Sequence, residues 1–413
     1  MKNKIVAIDL FSGAGGLSEG FLETNRFDFV AHVEWEKPMV DTLRANLINR
    51  WNYDEEAAKK AVIRFDIQKV DELVSGAWTE ETKKEYASDN SKEVIEYGID
   101  GLLSGKKVDV IIGGPPCQAY SIAGRYRDSM KDDYRNYLFE SFVKVVNHYR
   151  PKFFVFENVP GMLSAKPGDR LVVDRIYDAF NSIGYEIRKP KDMKKSIYSA
   201  ADYEVPQDRH RVIIFGVDKS LGISVEDLYL KLDEEKSNLP RQTVRDAIGM
   251  LPKLIPLKDP YKKSNRNFSH SSNPDSSITL HESRYHNKRD IQVFKTWISK
   301  NMNSLSNEDK VRYYNEVSGK NSKNNKYRNL EWDKPSPTIV AHLYKDGLMF
   351  IHPDIEQLRS ITIREAAILQ SFPIDYDFVG SMAYCYKMIG NAVPVNFAKH
   401  IAQSLIRYME ESK

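Results

Sequence analysis

Apolar residues in the first half of the chain follow two rhythms. Short runs, apolar at nearly every position and rich in Val, Ile and Phe, occupy residues 5–10, 27–33, 62–65, 108–112, 153–156 and 212–217. Between several of them, at 39–48 (with Pro38 at its start), 138–149 and 171–182, apolar positions return every three or four residues. Continuous apolar runs predict strands buried on both faces, and the longer period predicts helices. Their alternation predicts an α/β domain built on a parallel sheet. A polar stretch rich in Glu, Lys and Ser separates Asp66 from Val108 and predicts a helical insertion on the surface. From about 218 to 335 the alternation stops. Asn, Ser, Lys and Tyr dominate there, with Pro252, Pro256, Pro260 and Pro274, and little periodicity is visible. Sheet-like patterning returns at 337–341, a helix at 363–370, and a turn at Gly390 leads into a closing helix at 395–409. The layout is an α/β domain (residues 1–217 and 336–413) interrupted by an irregular one (218–335).

Length and composition narrow the class. A chain of 413 residues can bury a large core and suggests two or three domains. No stretch approaches the roughly 20 apolar residues of a spanning helix, and the short apolar run after the N-terminus reads as a strand, not a signal. Two cysteines, Cys117 and Cys385, are too few for a disulfide scaffold or a zinc site, so no metal and a reducing cytoplasm are expected. The net charge of +3 hides an asymmetry. Residues 241–330 carry 18 Lys+Arg against 8 Asp+Glu, and the remainder carries 43 against 50. A basic segment in a mildly acidic chain fits a polyanion-binding module. Charge alone fits a lysine-rich solvated surface better.

Three successive strand ends carry ligand-binding chemistry. Asp9-Leu10-Phe11-Ser12-Gly13-Ala14-Gly15-Gly16-Leu17 follows the first strand and opens a helix, where glycines let backbone amides approach a ligand. A dinucleotide fingerprint would place a third glycine at position 18, which is Ser18. Glu34 ends the second strand, where a carboxylate can accept ribose hydroxyls, and Trp35 offers a stacking face. Asp66, followed by Ile67, ends the third and can take an exocyclic amine. Taken singly, the glycine loop is an ordinary tight turn. In series the three describe an adenosine pocket at the carboxyl edge of a doubly wound sheet.

A second set suggests nucleophilic chemistry. Gly113-Gly114-Pro115-Pro116-Cys117-Gln118 follows the fourth strand, and a rigid strand-end loop can present a thiolate. A lone Cys is otherwise a small buried hydrophobe. Glu157-Asn158-Val159 follows four apolar residues, a setting that raises a carboxyl pKa and suits a hydrogen-bond donor or acid. It could also simply cap a turn. Gln207-Asp208-Arg209-His210-Arg211 places two arginines on one face of an extended segment, able to clamp a carboxylate or phosphate.

Together, and in this order, these motifs resemble the DNA cytosine-5 methyltransferase family of bacterial restriction-modification systems. The match extends through Arg364-Glu365-Ala366-Ala367-Ile368-Leu369-Gln370 and Gly390-Asn391-Ala392-Val393. The resemblance implies a Rossmann-like S-adenosylmethionine-dependent methyltransferase domain with a smaller target-recognition domain in the irregular basic segment. It implies S-adenosyl-L-methionine as cofactor, S-adenosyl-L-homocysteine as product and double-stranded DNA as partner. A monomer is implied, with a cognate restriction endonuclease acting on the same sequence without a stable complex. Cys117, Glu157, Arg209 and Arg211 take the catalytic positions. Asp9, Phe11, Gly13, Gly15, Gly16, Leu17, Glu34, Trp35, Asp66, Ile67, Pro116, Leu138, Asn391 and Val393 take those of the cofactor site. The long insertion after Asp66 departs from the family's pattern. RNA methylation uses the same chemistry. A catalytically silent DNA-binding relative has no need of the intact Cys117, Glu157, Arg209 and Arg211, and Ser18 speaks against an NAD-dependent oxidoreductase.

Overall fold

The computed structural model describes residues 4–116, 138–167 and 169–411. In chain order the elements begin with β1 (Ile5–Leu10), α1 (Gly16–Leu22), β2 (Phe27–Glu34), α2 (Lys37–Trp51), α3 (Glu55–Ala61) and β3 (Val62–Arg64). Next come α4 (Val70–Ser75), α5 (Glu80–Tyr86), α6 (Lys92–Leu103), β4 (Val110–Gly113), α7 (Leu138–Tyr149), β5 (Phe153–Asn158) and α8 (Val172–Ser182). Then follow β6 (Tyr185–Ile187), β7 (Ile197–Ser199), β8 (Gln207–Asp208), β9 (His210–Asp218), α9 (Val225–Glu234) and α10 (Val244–Ile248). The chain continues through β10 (Pro256–Lys263), β11 (Arg266–His270), α11 (Lys288–Ser299), α12 (Asn307–Ser318) and β12 (Ser336–Pro337). It ends with α13 (Leu343–Asp346), α14 (Ile363–Leu369), α15 (Met382–Asn391) and α16 (Val395–Glu411). Packing divides the chain into two units. Residues 1–203, 210–239 and 392–413 form the first, and residues 204–209 and 240–391 the second. The pattern of apolar positions places the boundaries at 217/218 and 335/336 instead.

The first unit holds one sheet of order β3-β2-β1-β4-β5-β9-β6, with β7 also paired to β9. β4 and β5 are buried at every position, as strands covered on both faces must be. Strand order reverses between β1 and β4, and ligands of doubly wound sheets bind beyond the carboxyl ends at such a point. One expectation fails. β9 runs antiparallel to β5, and β6 and β7 run antiparallel to β9, so the sheet is mixed. The closing helix α16 buries Val395, Phe397, Ala398, Ile401, Ala402, Leu405 and Tyr408, one stripe at helical spacing. It packs so closely on α1 that a Cβ at Gly20 would stand 2.4 Å from the Val395 carbonyl oxygen.

The insertion after Asp66 is also more than a surface feature. Helices α4 and α6 contribute Val70, Leu73, Val74, Val94, Ile99 and Leu103 to the main core, and Trp78 and Tyr86 join them. Phe65 lies against the Trp78 and Tyr86 rings, with centroids 4.7 and 5.4 Å away. Helices α4 and α6 meet where Gly76 and Gly98, both at positive φ, leave no room for a Cβ on either segment.

The basic segment is ordered rather than irregular. It holds a two-stranded hairpin, β10–β11, turned by Ser264 and Asn265 at positive φ. Helix α11 is capped by Asn287 and buries Val293, Phe294 and Trp297. The sheet-like stretch expected at 337–341 reduces to a two-residue pairing of β12 with β8.

Beside an apolar cluster that includes Phe294, Trp297, Tyr327 and Ile351, the second unit buries a charged and polar one. Arg359, fully buried, donates to both Glu365 carboxylate oxygens at 2.6 Å. Burial alone would raise the Glu365 carboxyl, but Arg359 outweighs it and holds the group well below the usual range. Around this pair lie buried histidines. His352 Nε2 is 3.5 Å from Glu365, His281 pairs with Thr362 and the Pro252 carbonyl, and His286 accepts from the Ser360 N–H. His270 Nε2 bonds the Gln357 carbonyl at 2.8 Å. Desolvation pushes His270 and His352 down to about 4 and His286 down to about 3.

These depressed values fix a sign. The folded unit favours neutral imidazoles, so their contribution to stability is complete above about pH 6.5 and is lost as pH falls toward about 4. Thermal melts between pH 7.5 and pH 4.5 are expected to show a falling transition for this unit below pH 6.5. A transition that stays constant over that range contradicts the assignment.

Candidate functional site

The glycine loop leaves β1 through strained backbone. Phe11 sits at φ 58°, Gly13 at 57° and Gly15 at 85°, the last capping α1. A non-glycine residue in this region costs energy and is retained where a loop must be held in one shape. Glu34 does the holding. Its carboxylate accepts from the backbone N–H of Gly13 at 2.8 Å, Trp35 at 2.7 Å and Glu36 at 2.8 Å. Burial raises the Glu34 pKa against these three donors. About four lone-pair directions are available on a carboxylate, so the loop fills most of them and leaves room for roughly one ligand hydroxyl.

Trp35 is 51% exposed. Asp66 is half-buried and accepts from the Gln68 N–H at 3.0 Å. Among the described residues, no atom beyond the chain neighbours lies within 4 Å of where a Gly13 Cβ would stand, so the loop faces open space there. The remaining positions differ in kind. Gly16 and Leu17 are buried in α1, Ile67 is buried after β3, and Leu138 is a core residue at the start of α7. Val393 is buried in the first unit, whereas Asn391 is exposed and ends α15 in the second. Pro116 is half-buried.

Asp9 does not line an open surface. It is 1% exposed, and its Oδ2 lies 3.5 Å from Nδ1 of His32, itself fully buried. Neither carboxylate oxygen nor either imidazole nitrogen has a hydrogen-bond partner among the described residues. The sequence reading missed His32. Its signal was a histidine inside an apolar strand, paired in register with Asp9.

Space dictates the second cluster. A Cβ at Gly113 would stand 2.3 Å from the Leu10 carbonyl oxygen, and one at Gly114 would stand 2.7 Å from Glu157 Oε2. Glu157 ends β5, buried, and Arg211 Nε of the neighbouring β9 lies 2.7 Å from its Oε1. The carboxylate is therefore held by a guanidinium rather than isolated among apolar residues, as the sequence suggested. Asn158 donates to the Pro115 carbonyl at 3.3 Å and fixes the start of the Pro-Pro run. Cys117 lies outside the described residues. Cys385, the other cysteine, is buried, and burial pushes its thiol up to about 11, which keeps it a poor nucleophile at neutral pH.

The two arginines do not clamp one group. Arg209 is fully buried and donates to the carbonyls of Ile339 and Gly390, both at 2.9 Å. Gln207 beside it donates to the Leu369 carbonyl and accepts from the Ile339 N–H. Arg209 thus braces backbone of the second unit next to Asn391, while Arg211 serves Glu157 in the first. Gly390 is a glycine because a Cβ there would meet the backbone of Val340 and Ala341 at 2.3 Å.

This geometry has known counterparts. The family profile described as C-5 cytosine-specific DNA methylase matches residues 5–93 and 77–407. The type II methyltransferase M.Bpa9945I of Bacillus paralicheniformis is 34% identical, over 97% of this chain and 98% of that protein. The type II methyltransferase M1.HphI of Haemophilus parahaemolyticus is 32% identical, over 97% and 86%. The crystal structure of a DNA modification methyltransferase encoded within an E. coli prophage aligns with a TM-score of 0.58 at 25% identity, covering 98% of this chain and all of that one. The S. pombe Dnmt2 methyltransferase aligns with a TM-score of 0.54 at 15% identity over 98% of this chain, a likeness of fold. With both ends of the motif series inside one matched profile, the chain belongs to the C-5 cytosine-specific DNA methylase family and is a DNA (cytosine-5-)-methyltransferase.

Proposed function

We propose that the protein methylates carbon 5 of a cytosine flipped out of a specific double-stranded DNA sequence, through a covalent Cys117 adduct and with S-adenosyl-L-methionine as donor. The observation that carries the reading is the Glu157–Arg211 pair seated over Gly114, directly before the Pro115-Pro116-Cys117 run. The open space over Gly13, the exposed Trp35 and the Glu34 carboxylate fit a nucleoside-bearing cofactor. In that pocket Trp35 stacks the base, Glu34 takes a ribose hydroxyl and Asp66 the exocyclic amine, with Phe11 and Pro116 as walls. Bound there, the cofactor supplies an electrophilic methyl group on a sulfonium.

Cytosine carbon 5 is too electron-poor to take that methyl unaided. Addition of the Cys117 thiolate to carbon 6 breaks aromaticity and makes carbon 5 an enamine nucleophile. Glu157 in its protonated form donates to ring nitrogen 3 and so offsets the negative charge that thiolate addition places there, and Arg211 orients Glu157 and holds the base's carbonyl oxygen. After methylation a base, water in this reading, removes the carbon 5 proton, and the pair of electrons left behind expels the Cys117 thiolate. These atoms are out of reach in a stacked duplex, so the cytosine must leave the helix, at a cost of a few kcal/mol. Arg209 is a positioning residue for the backbone before Asn391. The target-recognition function falls to the basic part of the second unit. We further propose a cytoplasmic monomer that shares its DNA site with a cognate restriction endonuclease without a stable complex. Among the described residues no helix is long and apolar enough to cross a membrane.

Bisulfite sequencing of DNA from cells expressing the chain is expected to show 5-methylcytosine at one recurring sequence. Unmodified DNA, or incorporation of labelled methyl into RNA alone, contradicts the proposal. Cys117→Ser is expected to lower turnover by at least about a thousandfold while DNA and cofactor still bind. Turnover near wild type removes Cys117 as nucleophile. Lys262, Lys263, Lys288 and Arg289 are all exposed in the second unit. Reversing their charges is expected to weaken DNA binding and flatten its salt dependence by about one unit of slope per lost phosphate contact, with cofactor affinity unchanged. Titrations at several salt concentrations check this, and unaltered DNA affinity refutes the assigned surface.

A further inference from the structure

We propose that Tyr86, Asp89 and Asn90, at the junction of α5 and α6 in the long insertion, are positioning residues that hold the Trp35 side of the cofactor pocket. The inference rests on the S-adenosylmethionine reading above and assigns a task to the segment that sets this chain apart from its family's pattern.

Trp35 presents a problem that the insertion solves. A residue just past a strand end can shift its backbone, and a ligand that stacks on its ring must bear the cost of settling it. Here the backbone of Trp35 is held on both sides. Its N–H donates to Glu34 Oε1 at 2.7 Å, and its carbonyl accepts from Arg64 Nε at 3.3 Å.

Arg64, register partner of Glu34 across β2–β3, is itself held by the insertion. Its Nη1 donates to Asp89 Oδ2 at 2.7 Å, and its guanidinium carbon lies 5.5 Å from the centre of the Tyr86 ring. Burial works against the Asp89 carboxylate, but Arg64 and Lys37 outweigh it and hold its pKa below the ordinary value. Arg44 of α2 donates to the carbonyls of both Val62 and Asp89 at 2.6 Å, tying the same turn to the strand.

Asn90 completes the brace at the sheet edge. β3 is the terminal strand on this side, and its outer backbone groups have no strand to pair with. The Arg64 N–H donates to Asn90 Oδ1 at 3.0 Å, and Asn90 Nδ2 donates to the Arg64 carbonyl at 2.9 Å. One side chain therefore does for Arg64 what a neighbouring strand would do. The same Nδ2 donates to the Tyr86 carbonyl at 2.8 Å, which locks Tyr86 to Asn90. The chain of contacts runs from the core aromatics Phe65 and Tyr86, through Asp89 and Arg64, to the Trp35 backbone. A pocket wall set in advance lowers the cost of binding the nucleoside.

The test is calorimetric titration of the full chain with S-adenosylhomocysteine, beside steady-state kinetics and DNA titration. Asp89→Asn keeps shape and removes the charge. It is expected to raise Kd for S-adenosylhomocysteine and KM for S-adenosylmethionine by about three- to tenfold, with kcat at saturating cofactor and DNA affinity unchanged. Asn90→Ala is expected to do the same, and Asp89→Glu to recover part of the affinity. Glu93→Gln removes an equally charged group of the insertion, one paired with Lys60 at 2.8 Å, and is expected to change nothing. Wild-type cofactor affinity in Asp89→Asn and Asn90→Ala overturns the brace alone. So does a parallel loss of cofactor binding, DNA binding and kcat that tracks a lowered melting temperature. Failure of the wild-type chain to bind S-adenosylhomocysteine overturns the pocket and the brace together.

Discussion

Two glycines at the end of β4 set where chemistry can occur in the first unit. Gly113 has the Leu10 carbonyl where its Cβ would stand, and Gly114 has the Glu157 carboxylate. A larger residue at Gly113 drives the ends of β1 and β4 apart, and one at Gly114 displaces the Glu157 carboxylate, because protein interiors have no slack at 2.3–2.7 Å. The constraint works because strand order reverses here, with β4 between β1 and β5. The glycine loop after β1, the Pro-Pro run after β4 and the acid near the end of β5 then converge. β9 closes the arrangement from the far side of β5, and its antiparallel direction brings Arg211, at the start of that strand, level with the end where Glu157 stands. In a wholly parallel sheet the start of β9 would lie at the opposite edge.

What could be read in the sequence follows from the range of the forces involved. Apolar runs such as 108–112 and 153–156 report burial directly, so the strands and most flanking helices were legible. Strand direction was not. The residues of β9 are apolar on both faces whichever way they run. The insertion was misread because its core-forming residues, Trp78 and Tyr86, stand isolated among charged ones and give no period. Helix α11 did carry a signal, with Asn287 as cap and Val293, Phe294 and Trp297 at helical spacing, but a polar, proline-bearing context obscured it. The hairpin β10–β11 carries Pro256 and Pro260 and turns on Ser264-Asn265 without a glycine, so the usual cues were missing.

Chemistry was legible as residue type and much less as partnership. Glu157, Arg211 and the glycine loop could be named because a reaction needs such groups near one another. That Arg209 holds the carbonyls of Ile339 and Gly390 depends on contacts 130 and 181 residues away in the chain. Gln207, Arg209 and Arg211 look alike as alternate positions of one extended run. The first two brace the second unit and the third pairs with an acid of the first, a division that no local pattern encodes.

The second unit illustrates a further consequence of using polar groups as core. The side-chain oxygen of Gln357 accepts from the Leu254 N–H, just before the hairpin, and its backbone carbonyl pairs with His270 at the hairpin's end. Arg359 donates to that same side-chain oxygen and to Glu365, so both roots of the hairpin are fixed to a buried ion pair. The far part of the hairpin is exposed and carries Lys262, Lys263 and Arg266, with Tyr261 stacked on Phe268 at 5.0 Å. A ribbon so rich in like charge repels itself and cannot be held by apolar burial at its tip. Directional hydrogen bonds at its base supply the order instead, and buried polar groups that are satisfied specify one geometry. The same economy makes the unit dependent on histidines staying neutral. A rigid basic ribbon and a pH-sensitive interior are, on this argument, two results of one choice of core.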